Sequence, residues 1–405
     1  MITIEKVNHA FQILSPVVRR TDLIEATRLA SRGTIYIKTE NLQRTGSFKL
    51  RGAYYKISQL SDSEKKSGII ACSAGNHAQG VAFAANKMGI DCVICMPDGA
   101  PISKVEATKS YGAKVVLVPG TYDDASIYAK KLQQESGATL IHPFDDIEVI
   151  SGQGTIALEI LEQLENIDAI VVPIGGGGLI AGLAYTIKNL KPNILVYGVQ
   201  AEHAPSMYHS WLKGVATTVD TIQTFADGIA VKTPGINTFE LIKKYVDKIV
   251  TVTEDEIATA VLALMEKQKI ISEGAGATAV ASVLFDKLPI QGKKVVCVVS
   301  GGNIDVNILS RVITRGLVTS GRKATFQIAL EDKPGQLVKV SKIIKDCGAN
   351  IVSVDYSGSD PNMAITSCFL TIGMETRGFD QISEIEQALR KAGLVAVHMV
   401  QQSHK

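Results

Sequence analysis

The sequence has no uninterrupted apolar run of the roughly 18 residues that a membrane-spanning helix needs, so we expect no transmembrane segment. Neither sign of charge prevails, since 42 basic and 40 acidic side chains give a formal net charge of +2. That balance favours neither nucleic acid nor a membrane surface as a partner. Residues 1–6 also lack the charged-then-apolar pattern of a secretory signal. These absences predict a cytoplasmic protein.

Cysteine is scarce, and its placement argues against disulfide or redox chemistry. The chain has six cysteines, most of them inside apolar runs. Cys92 and Cys95 have the spacing of a redox motif, but the stretch around them has the composition of a buried strand. A free cysteine in such a setting behaves as a small hydrophobic side chain. We interpret the six cysteines as unreactive core residues.

The order of apolar segments predicts an α/β fold. Helical segments alternate with short apolar runs at residues 69–72, 92–96, 114–118, 169–173 and 294–300. This alternation is typical of βαβ units and open parallel sheets. The runs at 169–172 and 295–299 are continuously apolar, which indicates strands that are covered on both faces. The family resemblance given below implies a catalytic domain over residues 1–320, with a smaller subdomain at roughly 51–149 inserted in it.

The pattern changes after residue 320. Strand-like segments at 324–330, 351–357, 364–372 and 395–400 are interleaved with helical ones at 336–346 and 382–392. The resulting order, βαββαβ, is that of a ferredoxin-like module. Because this segment lacks the glycine loops and clustered polar residues of a catalytic site, we predict a separate regulatory or assembly domain over residues 324–405.

A lysine in the motif SFKLRG, Lys49, is a candidate nucleophile. A lysine that forms a Schiff base must spend time deprotonated, which requires partial burial or a cationic neighbour. Phe48 supplies apolar bulk, and Arg51 supplies either a positive field or a structural ion pair. Taken alone, a lysine in this context is more often a surface or ion-paired residue.

Three loops follow predicted strands and open onto helices, at residues 73–77, 175–178 and 300–303. Glycines 175–178 let the backbone approach a ligand, and the helix N-terminus after them suits a phosphate; a tight strand–helix turn is the alternative. Residues 73–77 suit a carboxylate or, alternatively, form an N-cap cluster. The 175–178 loop matches neither the dinucleotide fingerprint nor a Walker motif.

Ligands of open α/β sheets bind beyond the carboxyl ends of the strands, so the three loops point at one crevice. One small molecule, pyridoxal phosphate, carries both an aldehyde for Lys49 and a phosphate for the glycine loop. The pairing turns two weak local signals into one joint hypothesis about the cofactor.

The same residues carry a family resemblance. From residue 41 to residue 303 the chain resembles the threonine ammonia-lyases (threonine dehydratases) of the fold-type II pyridoxal-phosphate family, through the motifs ENLQRTGSFK, SAGNH, GGGGL, EGAGA and SGGN. The C-terminal segment resembles an ACT domain, with DKPGQL at the signature position.

The resemblance implies roles for particular residues. Lys49 would bind the cofactor covalently and later act as the base at Cα, and the cofactor phosphate or a group near it would protonate the departing hydroxyl. The implied cofactor-binding residues are Phe48, Lys49, Asn76, Gly175, Gly176, Gly177, Gly178, Leu179 and Ser300. Asn76 would hydrogen-bond the phenolic oxygen, and Ser300 the pyridine nitrogen. The substrate carboxylate would bind at Ser73, Ala74, Gly75, Asn76 and His77.

Departures from the racemase-like members favour a lyase. Serine racemases, which resemble this chain at the 73–77 loop, have a second serine at the position of Ala74. That serine is their acid/base on the opposite face of the substrate. Gln200 and Ser206 stand where those members bind a divalent cation, so we expect no metal. Glu202 is close to these positions but alone.

The activity implied is conversion of L-threonine to 2-oxobutanoate and ammonia, with L-serine as a further substrate. Rival interpretations are a synthase on the same scaffold and a non-catalytic amino-acid sensor. We expect an amino-acid effector near Pro334, Gly335 and Asn350, in a homodimer or homotetramer. A purely structural assembly domain, a nucleotide effector, and a biosynthetic or catabolic role remain open alternatives.

Overall fold

The computed structural model describes residues 1–29, 32–358 and 366–399. The chain forms two compact units, Met1–Ile308 and Leu309–Lys405. Strands of the first unit are β1 (Leu23–Glu25), β2 (Thr34–Lys38), β3 (Ile69–Cys72), β4 (Cys92–Pro97), β5 (Lys114–Val118), β6 (Thr139–Leu140), β7 (Ala169–Pro173), β8 (Leu195–Ala201), β9 (Lys248–Val252) and β10 (Lys294–Val298).

Helices surround these strands on both faces. They are α1 (Ile4–Leu14), α2 (Lys49–Ser58), α3 (Asp62–Ser67), α4 (Asn76–Met88), α5 (Ile102–Ser110), α6 (Tyr122–Ser136), α7 (Ile147–Gln163), α8 (Gly178–Leu190), α9 (Ser206–Lys213), α10 (Ile236–Tyr245), α11 (Glu254–Ala263) and α12 (Gly274–Leu284). The helix α13 (Val306–Thr319) contains the boundary between the two units.

Within the described residues, the first unit contains two sheets. The larger has six strands in the order β1-β2-β10-β7-β8-β9, and the smaller has four in the order β5-β4-β3-β6. Apart from β1, which is antiparallel to β2, neighbouring strands run parallel. The predicted α/β class with open parallel sheets is confirmed.

The central strands of the larger sheet are covered on both faces, as their sequences predict. Every residue of β7 is buried, as are Val295–Val298 of β10. Helix α12, rich in alanine, packs close to the sheet, while α8 buries Ile180, Leu183 and Ile187 in the main core. Among the described residues, we find no helix with the length and apolar character needed to cross a membrane.

The cysteines lie in the core, as predicted. All six are within the described residues, and all are free and buried. Burial raises the pKa of the Cys72, Cys92 and Cys297 thiols to about 12, so these side chains stay protonated and poorly nucleophilic at neutral pH.

The second unit has the predicted βαββαβ order. Its elements are β11 (Lys323–Glu331), α14 (Gln336–Asp346), β12 (Asn350–Ser357), β13 (Ser367–Glu375), α15 (Phe379–Lys391) and β14 (Val395–His398). The strands form an antiparallel sheet in the order β12-β13-β11-β14. The strand predicted at 364–372 lies three residues further along, because it pairs with all of β11 out to Glu375 opposite Lys323. Residues 364, 365 and 400 of the predicted strands lie outside the described residues.

A buried ion network fixes the start of α2 against α7. The Arg51 guanidinium donates two hydrogen bonds of 2.8 Å to Glu40 and contacts Glu159 at 2.7 Å. Lys38 donates to the same Glu159 carboxylate at 2.6 Å. Burial alone would raise the pKa of Glu40, but the Arg51 guanidinium lowers it overall. Two cations and two carboxylates therefore neutralise each other inside the protein.

Replacing Glu159 by Gln should destabilise the fold strongly, because it leaves the buried Arg51 and Lys38 cations with one carboxylate between them. Breaking a buried ion pair typically costs about 3–5 kcal/mol. The control is Glu162→Gln on the same helix, whose partner Arg20 is more than half exposed; such surface pairs contribute about 0–1 kcal/mol. Urea unfolding of both variants measures the difference, and equal midpoints would contradict the account.

Candidate active site

One cavity of the first unit brings together the residues that the sequence singled out. Its lining includes Phe48, Lys49, Asn76, Gly175, Gly176, Gly177, Gly178, Leu179 and Ser300. A cleft of about 890 Å³ continues from it and is lined by Lys49 and by residues 72–77. The loops after β3, β7 and β10 thus meet where the carboxyl ends of the two sheets face each other, as open α/β folds arrange their ligand sites.

Lys49 is the first residue of α2, and its amine faces this cavity. The Nζ atom donates a 2.7 Å hydrogen bond to the Pro143 carbonyl and lies 5.3 Å from the centre of the Phe48 ring. Removal from water lowers the pKa of Lys49 to about 8, against the opposing charge of Glu273. About a tenth of the amine is therefore deprotonated at pH 7, far more than for an ordinary lysine, as a nucleophile or base requires.

Glycine is required in the 175–178 loop for two reasons. Gly177 has φ +99° as the N-cap of α8, a conformation that side chains other than glycine rarely adopt. A Cβ on Gly176 would lie 2.4 Å from the Phe144 ring, and one on Gly178 would lie 3.0 Å from Phe144. The tight-turn interpretation therefore explains Gly177, but not the close approach of its neighbours.

The start of α8 also offers an anion site. N–H groups in the first turn of a helix have no partner within the helix, and the positive end of its dipole lies behind them. Because Gly175 to Leu179 line the cavity, these groups border the space in which a phosphate would be held.

Residues 73–77 do not form an N-cap cluster, which was the alternative interpretation of this loop. Gly75 is the N-cap of α4 and receives no side-chain cap, and the Ser73 hydroxyl accepts the Gly75 N–H at 3.2 Å within the loop. The ring of His77 contacts the Ile141 carbonyl at 2.9 Å, and burial lowers the pKa of His77 to about 3. His77 is therefore a neutral side chain that is already bonded, and what it can offer a ligand is its backbone N–H.

Asn76 belongs to a chain of hydrogen bonds that the sequence analysis did not find. Asn303 Nδ2 donates to Asn76 Oδ1 at 2.8 Å, and Asn76 Nδ2 donates to Glu273 Oε1 at 2.6 Å. Glu273 is 3% exposed and lines both the cavity and the cleft. In the sequence, Glu273 is only an acidic residue in front of a helix of small residues. Acidic residues are common at helix starts, so this pattern did not identify Glu273 as a site residue.

Comparison with known proteins identifies the family. Residues 14–301 match the family described as pyridoxal-phosphate dependent enzyme. The chain belongs to the pyridoxal-phosphate-dependent enzymes. The expected cofactor, the family and the assignment as a pyridoxal-phosphate-dependent lyase are confirmed.

Its relatives match at high coverage. An L-threonine ammonia-lyase of Thermotoga maritima is 49% identical over 97% of this chain and 98% of its own length. The structure of processed threonine deaminase isoform 2 from Solanum lycopersicum is 38% identical with a TM-score of 0.72, over 77% of this chain and 88% of that one. Maize serine racemase is 34% identical with a TM-score of 0.73, over 78% and 98%.

The residues of this pyridoxal-phosphate enzyme fit its cofactor. The Lys49 amine, of lowered pKa, is available to an aldehyde, and the N–H groups at the start of α8, which border the same cavity, suit a phosphate. Ser300 lies two residues after the end of β10, is 3% exposed and lines the same cavity. Aldehyde, phosphate and ring thus each have a partner of suitable chemistry.

Gln200 and Ser206, the positions at which we expect no metal, have structural partners here. Gln200 donates to the Ile174 carbonyl and accepts the Tyr208 N–H, and Ser206 donates to the Val231 carbonyl. Across residues 1–29, 32–358 and 366–399, no group of three or more His, Cys, Asp or Glu side chains is arranged to hold a metal ion.

Gly176→Ala should weaken cofactor binding, because the added Cβ would overlap the Phe144 ring and displace the loop. Overpacking of this kind typically costs about 1–3 kcal/mol, so we expect roughly tenfold lower affinity for pyridoxal phosphate. Gly99→Ala is the matched control, since a Cβ there meets nothing within 4 Å. Equilibrium dialysis of both variants gives the affinities; an unchanged value for Gly176→Ala would contradict the assignment of the loop.

Proposed function

We propose that this chain deaminates L-threonine by eliminating water across the Cα–Cβ bond, the departing hydroxyl leaving as water once it is protonated. The released enamine then takes up one water and hydrolyses to 2-oxobutanoate and ammonia. The Thermotoga relative named L-threonine ammonia-lyase, 49% identical over 97% of this chain, supports the choice of substrate. The observation that carries the chemistry is the position of Lys49, whose amine has a lowered pKa and faces the cavity that the glycine loop borders.

The proposed mechanism assigns the proton transfer at Cα to Lys49. Bound pyridoxal phosphate supplies an electron sink that makes the Cα proton of an amino acid acidic. Lys49 would hold the cofactor at rest and take that proton during turnover. Phe48 would lie against the ring, and the N–H groups of Gly175, Gly176, Gly177, Gly178 and Leu179 would hold the phosphate.

The substrate carboxylate binds at the start of α4. Ser73, Ala74, Gly75, Asn76 and His77 surround the entrance of the cleft, and the first N–H groups of this helix have no partner inside it. A carboxylate held there is stabilised by the positive end of the helix dipole.

Two residues favour elimination over racemisation. Ala74 has no group that can exchange a proton, so the face of the substrate opposite Lys49 lacks the acid/base of a racemase. Ser300 would offer the ring nitrogen a neutral hydroxyl, which would leave that nitrogen unprotonated, unlike an aspartate. We therefore propose a lyase, although maize serine racemase shares the fold at TM-score 0.73.

L-Serine is included as a second substrate. It differs from L-threonine by one methyl group, and the loss of one methyl in an apolar pocket typically changes transition-state binding by only about 1–3 kcal/mol.

Lys49→Ala should lose the covalently bound cofactor and nearly all turnover, because both roles depend on one amine. Lys56→Ala, further along the same helix and paired with Asp146 on the surface side, is the control and should keep both. Absorbance of the bound cofactor and 2-oxobutanoate formation measure the two effects. Retained turnover in Lys49→Ala would overturn the mechanism.

We further propose that the second unit, an ACT-like domain, binds an amino-acid effector such as isoleucine or valine near Pro334, Gly335 and Asn350. Gly335 is the N-cap of α14, with φ +92°, and the Tyr356 hydroxyl donates to Asp332 at 2.9 Å. That bond ties the loop before Gly335 to the far end of β12, the strand that begins at Asn350. A nucleotide effector and a structural assembly role are the alternatives, and a homodimer or homotetramer and a cytoplasmic location stay predictions.

Ending the chain after Arg322 tests the regulatory role. If the second unit is regulatory, the truncated enzyme should still deaminate L-threonine but no longer respond to isoleucine, valine or a nucleotide. Saturation curves for L-threonine, with and without each effector, compare the truncated and full-length proteins. An effector response that is the same in both would contradict the proposal.

A further inference from the structure

Glu273 has the position of a helix cap but does not act as one. It is the N-cap residue of α12, and its side chain makes no capping hydrogen bond. An acidic N-cap ordinarily accepts the N–H groups of the first helical turn. Instead, Glu273 Oε1 accepts the Asn76 amide at 2.6 Å, across 197 positions of sequence. The carboxyl group is therefore directed at the active-site cavity.

The hydrogen bonds on either side of Asn76 fix which way its amide points. Asn303 Nδ2 donates to the Thr45 carbonyl at 2.8 Å and to Asn76 Oδ1 at 2.8 Å. A backbone carbonyl can only accept, so the Asn303 amide is fixed as the donor. A flipped Asn76 would turn its NH₂ group to that of Asn303 and its carbonyl to Glu273. The observed orientation leaves one Asn76 N–H unused.

Two glycines leave the space that the Glu273 carboxyl group occupies. A Cβ on Gly301 would lie 2.3 Å from Glu273 Oε1, and one on Gly228 would lie 3.2 Å from the same atom. Gly301 follows β10, and Gly228 belongs to a separate turn of the large-sheet region. The loops on both sides are thus shaped around this side chain.

We propose that Glu273 is a positioning residue of the active site, which holds the Asn76 amide with its free N–H directed at the cofactor. The inference rests on the proposed placement of the cofactor's phenolic oxygen beside Asn76. Glu273 acts through Asn76, so its loss changes how the cofactor is held before any substrate is present.

The charges around Glu273 add a pH dependence. Lys49, Lys104 and Asp227 face it from three other segments, and burial together with Asp227 raises the pKa of Glu273 to about 7. Below that pH the carboxyl group is protonated and neutral. Above it, the anion raises the pKa of Lys49. The bound cofactor should therefore report a transition near pH 7 that depends on Glu273.

The test is the absorbance band of the bound cofactor across pH 6 to 9, without substrate, together with cofactor affinity. Glu273→Ala should shift the band as Asn76→Ala does and weaken cofactor binding roughly tenfold, because a buried amide loses its partner. Glu273→Gln keeps an acceptor for Asn76, so it should keep the band and affinity but lose the transition near pH 7. Glu202→Gln, at an exposed position, is the control.

The outcomes separate this inference from the proposed function. A wild-type band and affinity in Glu273→Ala, with circular dichroism showing a folded protein, would overturn the positioning role while leaving threonine deamination intact. An unchanged band in Asn76→Ala would show that the cofactor's phenolic oxygen is not beside Asn76, and would therefore also overturn the positioning role. Weakened binding with an unshifted band in Glu273→Ala would identify a merely structural residue and also reject the proposal.

Discussion

The buried contact between Arg51 and two carboxylates is the interaction on which the active site depends. Arg51 lies two residues after Lys49, in the first turn of α2, and its guanidinium is locked between Glu40 and Glu159. Because all three side chains are almost fully buried, a shift of this helix would expose unpaired charge to the protein interior. The start of α2 is thereby fixed, and with it the direction in which the Lys49 amine points.

The chemistry of the site follows from how water is excluded around that amine. Lys49 lies between the Phe48 ring and the Pro143 carbonyl, and desolvation brings its pKa within reach of neutral pH. Opposite it, burial brings the pKa of Glu273 up to about 7. The pKa values of a lysine and a glutamate are ordinarily well separated, but burial brings those of Lys49 and Glu273 close together, as in many catalytic sites. Burial, rather than unusual residue types, prepares the site.

Much of the fold and site could be predicted because the signals are local. Lys49 lies in a contiguous motif, and the 175–178 loop follows the apolar strand β7, where parallel topology brings such loops together. Glu273 could not be predicted, since its role depends on a contact with Asn76 made only in the folded chain. The hydrogen bond of the His77 ring to the Ile141 carbonyl could not be predicted either, because it follows from the packing of α4 against the small sheet.

The central claim is that this pyridoxal-phosphate enzyme uses its cavity to eliminate water from L-threonine. The most direct measurement is keto-acid formation by the purified, cofactor-loaded protein given L-threonine, with L-serine alongside and D-serine assayed as a product of the latter. The account predicts 2-oxobutanoate and ammonia in equal amounts from L-threonine, pyruvate from L-serine, and no accumulation of D-serine. Absence of keto acid from both amino acids, despite bound cofactor, would contradict it.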